Sequence, residues 1–149
     1  MQAIHTNAEV LARYAACCQQ RGIVPIVEPE ILIEGEHTIE QAAKVSERVL
    51  FHTFRMLHMH KVCLECIILK PSIVISGKQC ATQATVEQVA SETLRIFKRV
   101  VPAAVPTINF LSGGQTPEQA AAHLNLMNQE KHAWNISFSY ARALQEPAM

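Results

Sequence analysis

The chain has 149 residues, 49% hydrophobic and 17% charged, which is the make-up of a globular protein about one domain in size and not of a disordered segment. Thirteen basic residues offset thirteen acidic ones, so no net field favours nucleic acid or an anionic membrane surface. No apolar run approaches the ~20 residues needed to span a bilayer, and MQAIHTNAEV lacks the basic-then-apolar layout of a secretory signal, so the chain reads as cytoplasmic.

In chain order, residues 7–20 carry Val10, Leu11, Tyr14, Ala15 and Cys18 at helical spacing, with Asn7 as N-cap and Gly22 as the stop. Ile23 to Val27 reads as a short strand made irregular by Pro25, followed by a polar loop over 29–37. A long helix is predicted from the cap Thr38 to His60, then a second strand from Val62 to Leu69 and a loop over 71–84. The next helix spans Thr85 to Arg99, with Arg95, Lys98 and Arg99 near the end that the helix dipole makes favourable for cations. A third strand, Thr107 to Leu111, precedes a helix opened by Gln115 or Thr116, with Pro117 at its first position, that runs to about Asn128. The last strand covers Trp134 to Tyr140. A leading helix and four strand–helix steps, the last one short, imply parallel strands with helices packed outside them: a small open α/β sheet or half of a closed one, with no internal domain boundary in 1–149.

Five cysteines (17, 18, 63, 66 and 80) make an odd set, for which free thiols are expected. Cys63 and Cys66 form a C-x-x-C, the spacing of half a zinc site or a redox pair. In a strand, positions three apart face opposite sides, and no second Cys/His pair completes a tetrahedral set, so both are expected as buried thiols. His52, His58 and His60, on one helix, are expected to be solvated.

The chemistry-bearing residues sit at strand ends. Lys70 closes the apolar run Cys66-Ile67-Ile68-Leu69; Glu28 stands forty-two residues before it and Ser112 forty-two after. An amine attacks a carbonyl only in its neutral form, which apolar surroundings favour, and a lysine at a strand end suits Schiff-base chemistry; it also suits a structural role with the ammonium reaching solvent. Glu28 and Glu30 share a face if the extended conformation persists through Pro29, and paired carboxylates can divide acid and base roles. Ser112-Gly113-Gly114 ahead of a helix offers free backbone N–H groups to a phosphate, and Arg142 is placed to add a guanidinium.

NAEVLARYAACCQQRGIVPIVEPEIL, LECIILKP, FLSGGQ and FSYARALQ, collinear across residues 7–146, resemble class I fructose-bisphosphate aldolase of the animal type. The resemblance implies a (β/α)8 barrel, here only its last four βα units. It implies cleavage of fructose 1,6-bisphosphate to dihydroxyacetone phosphate and glyceraldehyde 3-phosphate in glycolysis, without metal or other cofactor. It assigns Lys70 as the Schiff-base lysine, Glu28 as general acid/base and Glu30 as an aid to the lysine. Ser112, Gly113, Gly114, Ser139 and Arg142 fall at the positions that hold the ketose phosphate.

The resemblance also sets departures. Strands one to four of the family are not in these residues, nor are its proton-shuttling aspartate, its second lysine, the residues for the other phosphate, and the tail with its terminal tyrosine. Ala141 replaces a glycine before Arg142, and Cys66 another. A half barrel leaves open edges and an uncovered inner face, so the monomer is expected to be marginal, aggregation-prone, or rescued by self-association into a two-half barrel. The resemblance implies a homotetrameric family. A non-catalytic aldolase-derived remnant or binding module is the alternative reading, favoured by a true start at Met1.

Overall fold

The computed structural model describes residues 2–145, 148 and 149, and only the backbone of Arg142. The chain runs α1 (Gln2–Gln20), β1 (Ile26–Val27), α2 (Ile39–Met59), a 3-10 turn (Leu64–Cys66), β2 (Ile68–Leu69), α3 (Val86–Val100), β3 (Thr107–Phe110), α4 (Pro117–Met127), β4 (Asn135–Phe138) and α5 (Arg142–Gln145).

Three of the helices start the same way. T-x-E-Q occurs at 38–41, 85–88 and 116–119, and each time the threonine side chain accepts from the backbone N–H of the glutamine while the glutamine side chain accepts from that of the threonine. This reciprocal cap satisfies two donors that a helix start leaves open and stabilises each start by about 1 kcal/mol. The intervening Glu40, Glu87 and Glu118 lie in the first turn, where the helix dipole favours a carboxylate. At the far end of α2, Lys61 takes φ 57° while Lys61 N–H bonds the His58 carbonyl and Val62 N–H the Leu57 carbonyl, the double bond of a Schellman stop.

The four strands form one sheet in chain order, all parallel, with Val27 beside Leu69, Leu69 beside Ile108 and Ile108 beside Ile136. Those four residues and Phe110 are buried and point to the helices; Phe97 of α3 meets Phe110 at 5.3 Å between ring centres. Each of α1 to α4 packs against the next. By strand alternation the opposite face carries Ile26, Glu28, Ile68, Lys70, Thr107, Asn109, Asn135 and Ser137, none of which is buried. The sheet is therefore covered on one face, which is the open four-strand arrangement expected for half a barrel.

Several boundaries differ from expectation. α1 starts at Gln2, with Asn7 inside it, because its first turns rest on α2: the His5 ring lies 4.2 Å from that of His52. That contact also buries His52, expected to be solvated, and burial lowers its pKa. His60 is paired as well, with Nε2 3.0 Å from Glu9, while His58 is exposed. β1 begins at Ile26 instead of Ile23, since Pro25 has no N–H for the ladder and contributes only its carbonyl, which accepts from Ile68 N–H at 3.0 Å.

The stretch expected as a strand from Val62 is a turn up to Cys66. The Gln19 side chain from α1 accepts from Cys63 N–H at 2.9 Å and donates to the carbonyls of Cys63 and Cys66, supplying the partners a neighbouring strand would have provided. Cys63 and Cys66 are consequently exposed, not buried. β4 is shorter than Trp134–Tyr140, although Ser139 N–H continues its ladder to the Phe110 carbonyl at 2.9 Å. No helix among the described residues is long and apolar enough to cross a membrane.

Candidate active site

Register alone assembles the first part of the site. One residue beyond the ladder pairs Val27–Leu69 and Leu69–Ile108, Glu28, Lys70 and Asn109 stand level, and Asn109 is paired with Ser137. The ladder persists to that level, with Lys70 N–H donating to the Val27 carbonyl at 2.8 Å. A row of one carboxylate, one amine, one amide and one hydroxyl thus crosses the open face at the C-terminal ends of the strands. Lys70 Nζ lies 3.0 Å from Glu28 Oε1, with the lysine side chain 19% exposed and the glutamate 40% exposed. The pair is held together in a half-sheltered place, short enough for direct proton transfer.

Exposure alternates through Pro29, which is buried between exposed Glu28 and Glu30, so the two carboxylates share a face as expected. They do not share a partner. Glu30 forms no ion pair with Lys70 among the described residues; its Oε1 lies beside Gly113, 3.7 Å from where a Cβ there would be.

The Ser112–Gly114 loop lies three residues beyond Asn109, so roughly 10 Å further along the strand direction. Ser112 is buried, and its carbonyl accepts from Gln115 N–H at 3.1 Å to close the turn. The N–H groups of Gly113 and Gly114 have no bonded partner among the described residues. Gly114 takes φ 80°, and a Cβ on it would strike the Ile33 side chain, so both conformation and space require glycine. Behind the loop Gln115 Oε1 sits 2.6 Å from Nδ1 of buried His123, whose pKa is lowered by burial. Ser139 stands on the neighbouring strand end, and the Tyr140 hydroxyl donates to the Ala120 carbonyl at 3.0 Å; burial pushes its pKa up to about 12. Arg142 opens α5, and its side chain lies outside the described part. Ala141 is exposed and has no positive φ, so the glycine it replaces is not needed there for backbone conformation.

Two loops frame this row. Ile31 N–H bonds the Ser72 hydroxyl at 3.0 Å, Lys78 N–H the Ile33 carbonyl at 2.8 Å, Gln79 N–H the Gly35 carbonyl at 3.0 Å and Gly77 N–H the His37 carbonyl at 2.9 Å. The segment after Glu28 is thereby laced to the segment after Lys70. A Cβ at Gly77 would strike the Gly35 carbonyl oxygen, so the lacing depends on glycine. Sequence reading missed Asn109, whose Oδ1 accepts from the Thr107 hydroxyl at 2.8 Å, and Ser137. The signal available was strand parity, because both share a face and a level with Lys70. A cavity of about 660 Å³ opens beside Glu28 and Glu30, between α1, α2 and the loop after β1. Among the described residues no group of three or more His, Cys, Asp or Glu is placed to hold a metal ion.

A family model described as glycolytic fructose-bisphosphate aldolase, class I, matches residues 1–149. The chain is 52% identical over 147 residues to a probable class 1 fructose-bisphosphate aldolase of Xanthomonas campestris, covering 98% of this chain and 44% of the relative. It is 52% identical over 143 residues to the fructose-bisphosphate aldolase of Dictyostelium discoideum, covering 95% and 40%, and 50% identical over 149 residues to a cytosolic one of Arabidopsis thaliana, covering 99% and 38%. The structure superposes with a TM-score of 0.96 and 46% identity on fructose-bisphosphate aldolase of Plasmodium falciparum, crystallised with TRAP and a small-molecule inhibitor, covering 98% of this chain and 42% of that one. The chain spans about two fifths of the length of the relatives it matches.

Proposed function

Because the chain belongs to the class-I fructose-bisphosphate aldolase family, we propose that its open sheet face carries the Schiff-base part of a fructose-bisphosphate aldolase site. Lys70 is the attacking amine, Glu28 the proton donor and acceptor beside it, and Glu30 a second carboxylate on the same face that helps to organise the lysine. The N–H groups of Gly113 and Gly114, with Ser112, Ser139 and Arg142, seat the ketose phosphate near the positive end of α4. The observation that carries this reading is the 3.0 Å contact between Lys70 Nζ and Glu28 Oε1 on an uncovered strand end.

The chemistry follows from that contact. Glu28 takes a proton from Nζ, the freed amine adds to the ketone carbon of the sugar phosphate, and Glu28 returns the proton as the hydroxyl leaves as water. The resulting iminium draws electrons from the C3–C4 bond of fructose 1,6-bisphosphate, releasing glyceraldehyde 3-phosphate and leaving an enamine that protonation and hydrolysis turn into dihydroxyacetone phosphate. These residues supply the iminium and the phosphate seat. Cleavage also needs a base for the C4 hydroxyl proton.

The uncovered face and exposed Ile23, Val24 and Ile26 by β1 and Phe138 on β4 favour association of two copies, edge to edge, in the cytoplasm. Sedimentation of the purified chain would return a monomer if that part is mistaken. The site itself is tested by borohydride trapping with dihydroxyacetone phosphate and mass spectrometry. A reduced adduct on Lys70, absent from Lys70→Met, is the expected result. A folded sample with no adduct overturns the assignment in favour of a non-catalytic aldolase-derived remnant.

A further inference from the structure

The exposed C-x-x-C lies away from this site, at the opposite end of β2, and the fold gives it a geometry of its own. Cys66 N–H bonds the Cys63 carbonyl at 3.2 Å, closing a 3-10 turn with one cysteine at each end. Residues three apart on such a turn eclipse each other, and three steps of about 2.0 Å place their Cα atoms roughly 6 Å apart. Disulfides form at Cα separations of about 4.4–6.8 Å, so the backbone already has the required span. Gln19 fixes that span from outside the turn by bonding Cys63 N–H, the Cys63 carbonyl and the Cys66 carbonyl. Both thiols are exposed, and neither is committed to the core.

We propose that Cys63 and Cys66 are a thiol–disulfide redox pair, which a low-molecular-weight disulfide such as oxidised glutathione closes to an intramolecular disulfide at the entrance to β2.

The exchange balances in two steps. The Cys66 sulfur, as thiolate, attacks one sulfur of glutathione disulfide; that S–S bond breaks, one glutathione thiolate leaves, and a mixed disulfide remains on Cys66. The Cys63 thiol then loses its proton and attacks the Cys66 sulfur, expelling the second glutathione. The two cysteines give up two electrons and two protons, and one glutathione disulfide becomes two thiols. The order of attack follows from Glu65. Cys63 Sγ donates to Glu65 Oε2 at 3.3 Å, and this bond, with a further one to Cys66, raises the pKa of Cys63. Cys63 is therefore the thiol held in reserve and Cys66 the one that opens the exchange. The other cysteines lack this arrangement: Cys17 and Cys18 are consecutive on α1, and Cys80 Sγ donates to the Thr82 carbonyl at 3.3 Å.

The test equilibrates the whole chain in graded mixtures of reduced and oxidised glutathione, quenches with acid, alkylates the remaining thiols and maps them by mass spectrometry. The expected result is one intramolecular disulfide between Cys63 and Cys66, while Cys17, Cys18 and Cys80 stay alkylatable or singly glutathionylated. Cys63→Ser should accumulate the mixed disulfide on Cys66, because nothing resolves it. Glu65→Ala should hasten closure several-fold at neutral pH, since the proton on Cys63 is then less tightly held. The proposal is overturned if Cys63 and Cys66 remain independent thiols in oxidising buffer. It is equally overturned if each carries its own glutathione without closing.

Discussion

Replacing Gly114 by alanine probes the phosphate loop at its most constrained point. The residue sits at φ 80°, where a Cβ costs about 1–2 kcal/mol, offset by about 0.5–1 kcal/mol because alanine loses less freedom on folding than glycine. The new methyl also runs into Ile33 Cδ1 and sits 3.3 Å from Ile33 Cβ and Cγ2; making room for it costs about 1–3 kcal/mol. Together these give a loss of about 1–4.5 kcal/mol. Ile33→Val removes the Cδ1 atom that collides and, at a half-buried position, costs about 0.5–1.5 kcal/mol alone. Urea unfolding of wild type, both single variants and the double variant, read by far-ultraviolet circular dichroism, closes a double-mutant cycle. Alanine at 114 should cost at least 1 kcal/mol less when residue 33 is valine. Additivity within about 0.5 kcal/mol would refute the argument, because it would mean that Ile33 does not lie over the loop.

Three more expectations follow from particular contacts. Glu28→Gln keeps the shape of the pair but removes the proton acceptor, so borohydride trapping at Lys70 should slow by roughly 10²–10⁴-fold; an unchanged rate would place the base elsewhere. Lys61→Gly relieves a left-handed backbone at the α2 stop and should raise stability by about 0.5–1 kcal/mol, seen as a higher urea midpoint, whereas a lower midpoint would contradict the Schellman geometry. Tyr140 has a folded pKa of about 12, above its ordinary value near 10, so the folded state holds its proton more tightly. Its contribution is fully present below pH 10 and is lost as pH rises through 12. Tyr140→Phe should flatten that alkaline fall in stability and cost about 0.5–1.5 kcal/mol at neutral pH for the lost bond to the Ala120 carbonyl.

The sequence made plain what local chemistry decides. Thr38, Thr85 and Pro117 announced helix starts, and the apolar runs ending at Val27, Leu69 and Leu111 announced parallel strands with functional groups at their ends. The threefold T-x-E-Q is itself visible in the sequence as a repeat, at 38–41, 85–88 and 116–119. What could not be read depended on partners distant in the chain. Gln19 turns 63–66 away from a strand, and nothing near Cys63 signals that a glutamine forty-four residues earlier will occupy its backbone groups. His5 extends α1 and shelters His52 by a contact between two helices. The resemblance makes Glu30 an aid to the lysine, and nothing in its spacing from Glu28 signals that its Oε1 also stands beside Gly113. Asn109 and Ser137 were hidden for a different reason: small polar residues in a strand acquire meaning only once the register shows what stands beside them.

The order of the sheet has a consequence for how such a molecule is built and how it comes apart. Each strand lies beside the one before it, and each helix beside the preceding helix, so each unit packs mainly against the units next to it in the chain. That is the wiring of a stacked array, in which cohesion is a sum of steps and a terminal step can open without dissolving the rest. Opening β4 and α5 would release Ser139 and Arg142 while Lys70, two strands inward, stayed paired with Glu28 at the end of β1. Amide exchange should accordingly decline stepwise from β4 toward β2, and a growing chain emerging in sequence could add each unit to an edge already formed.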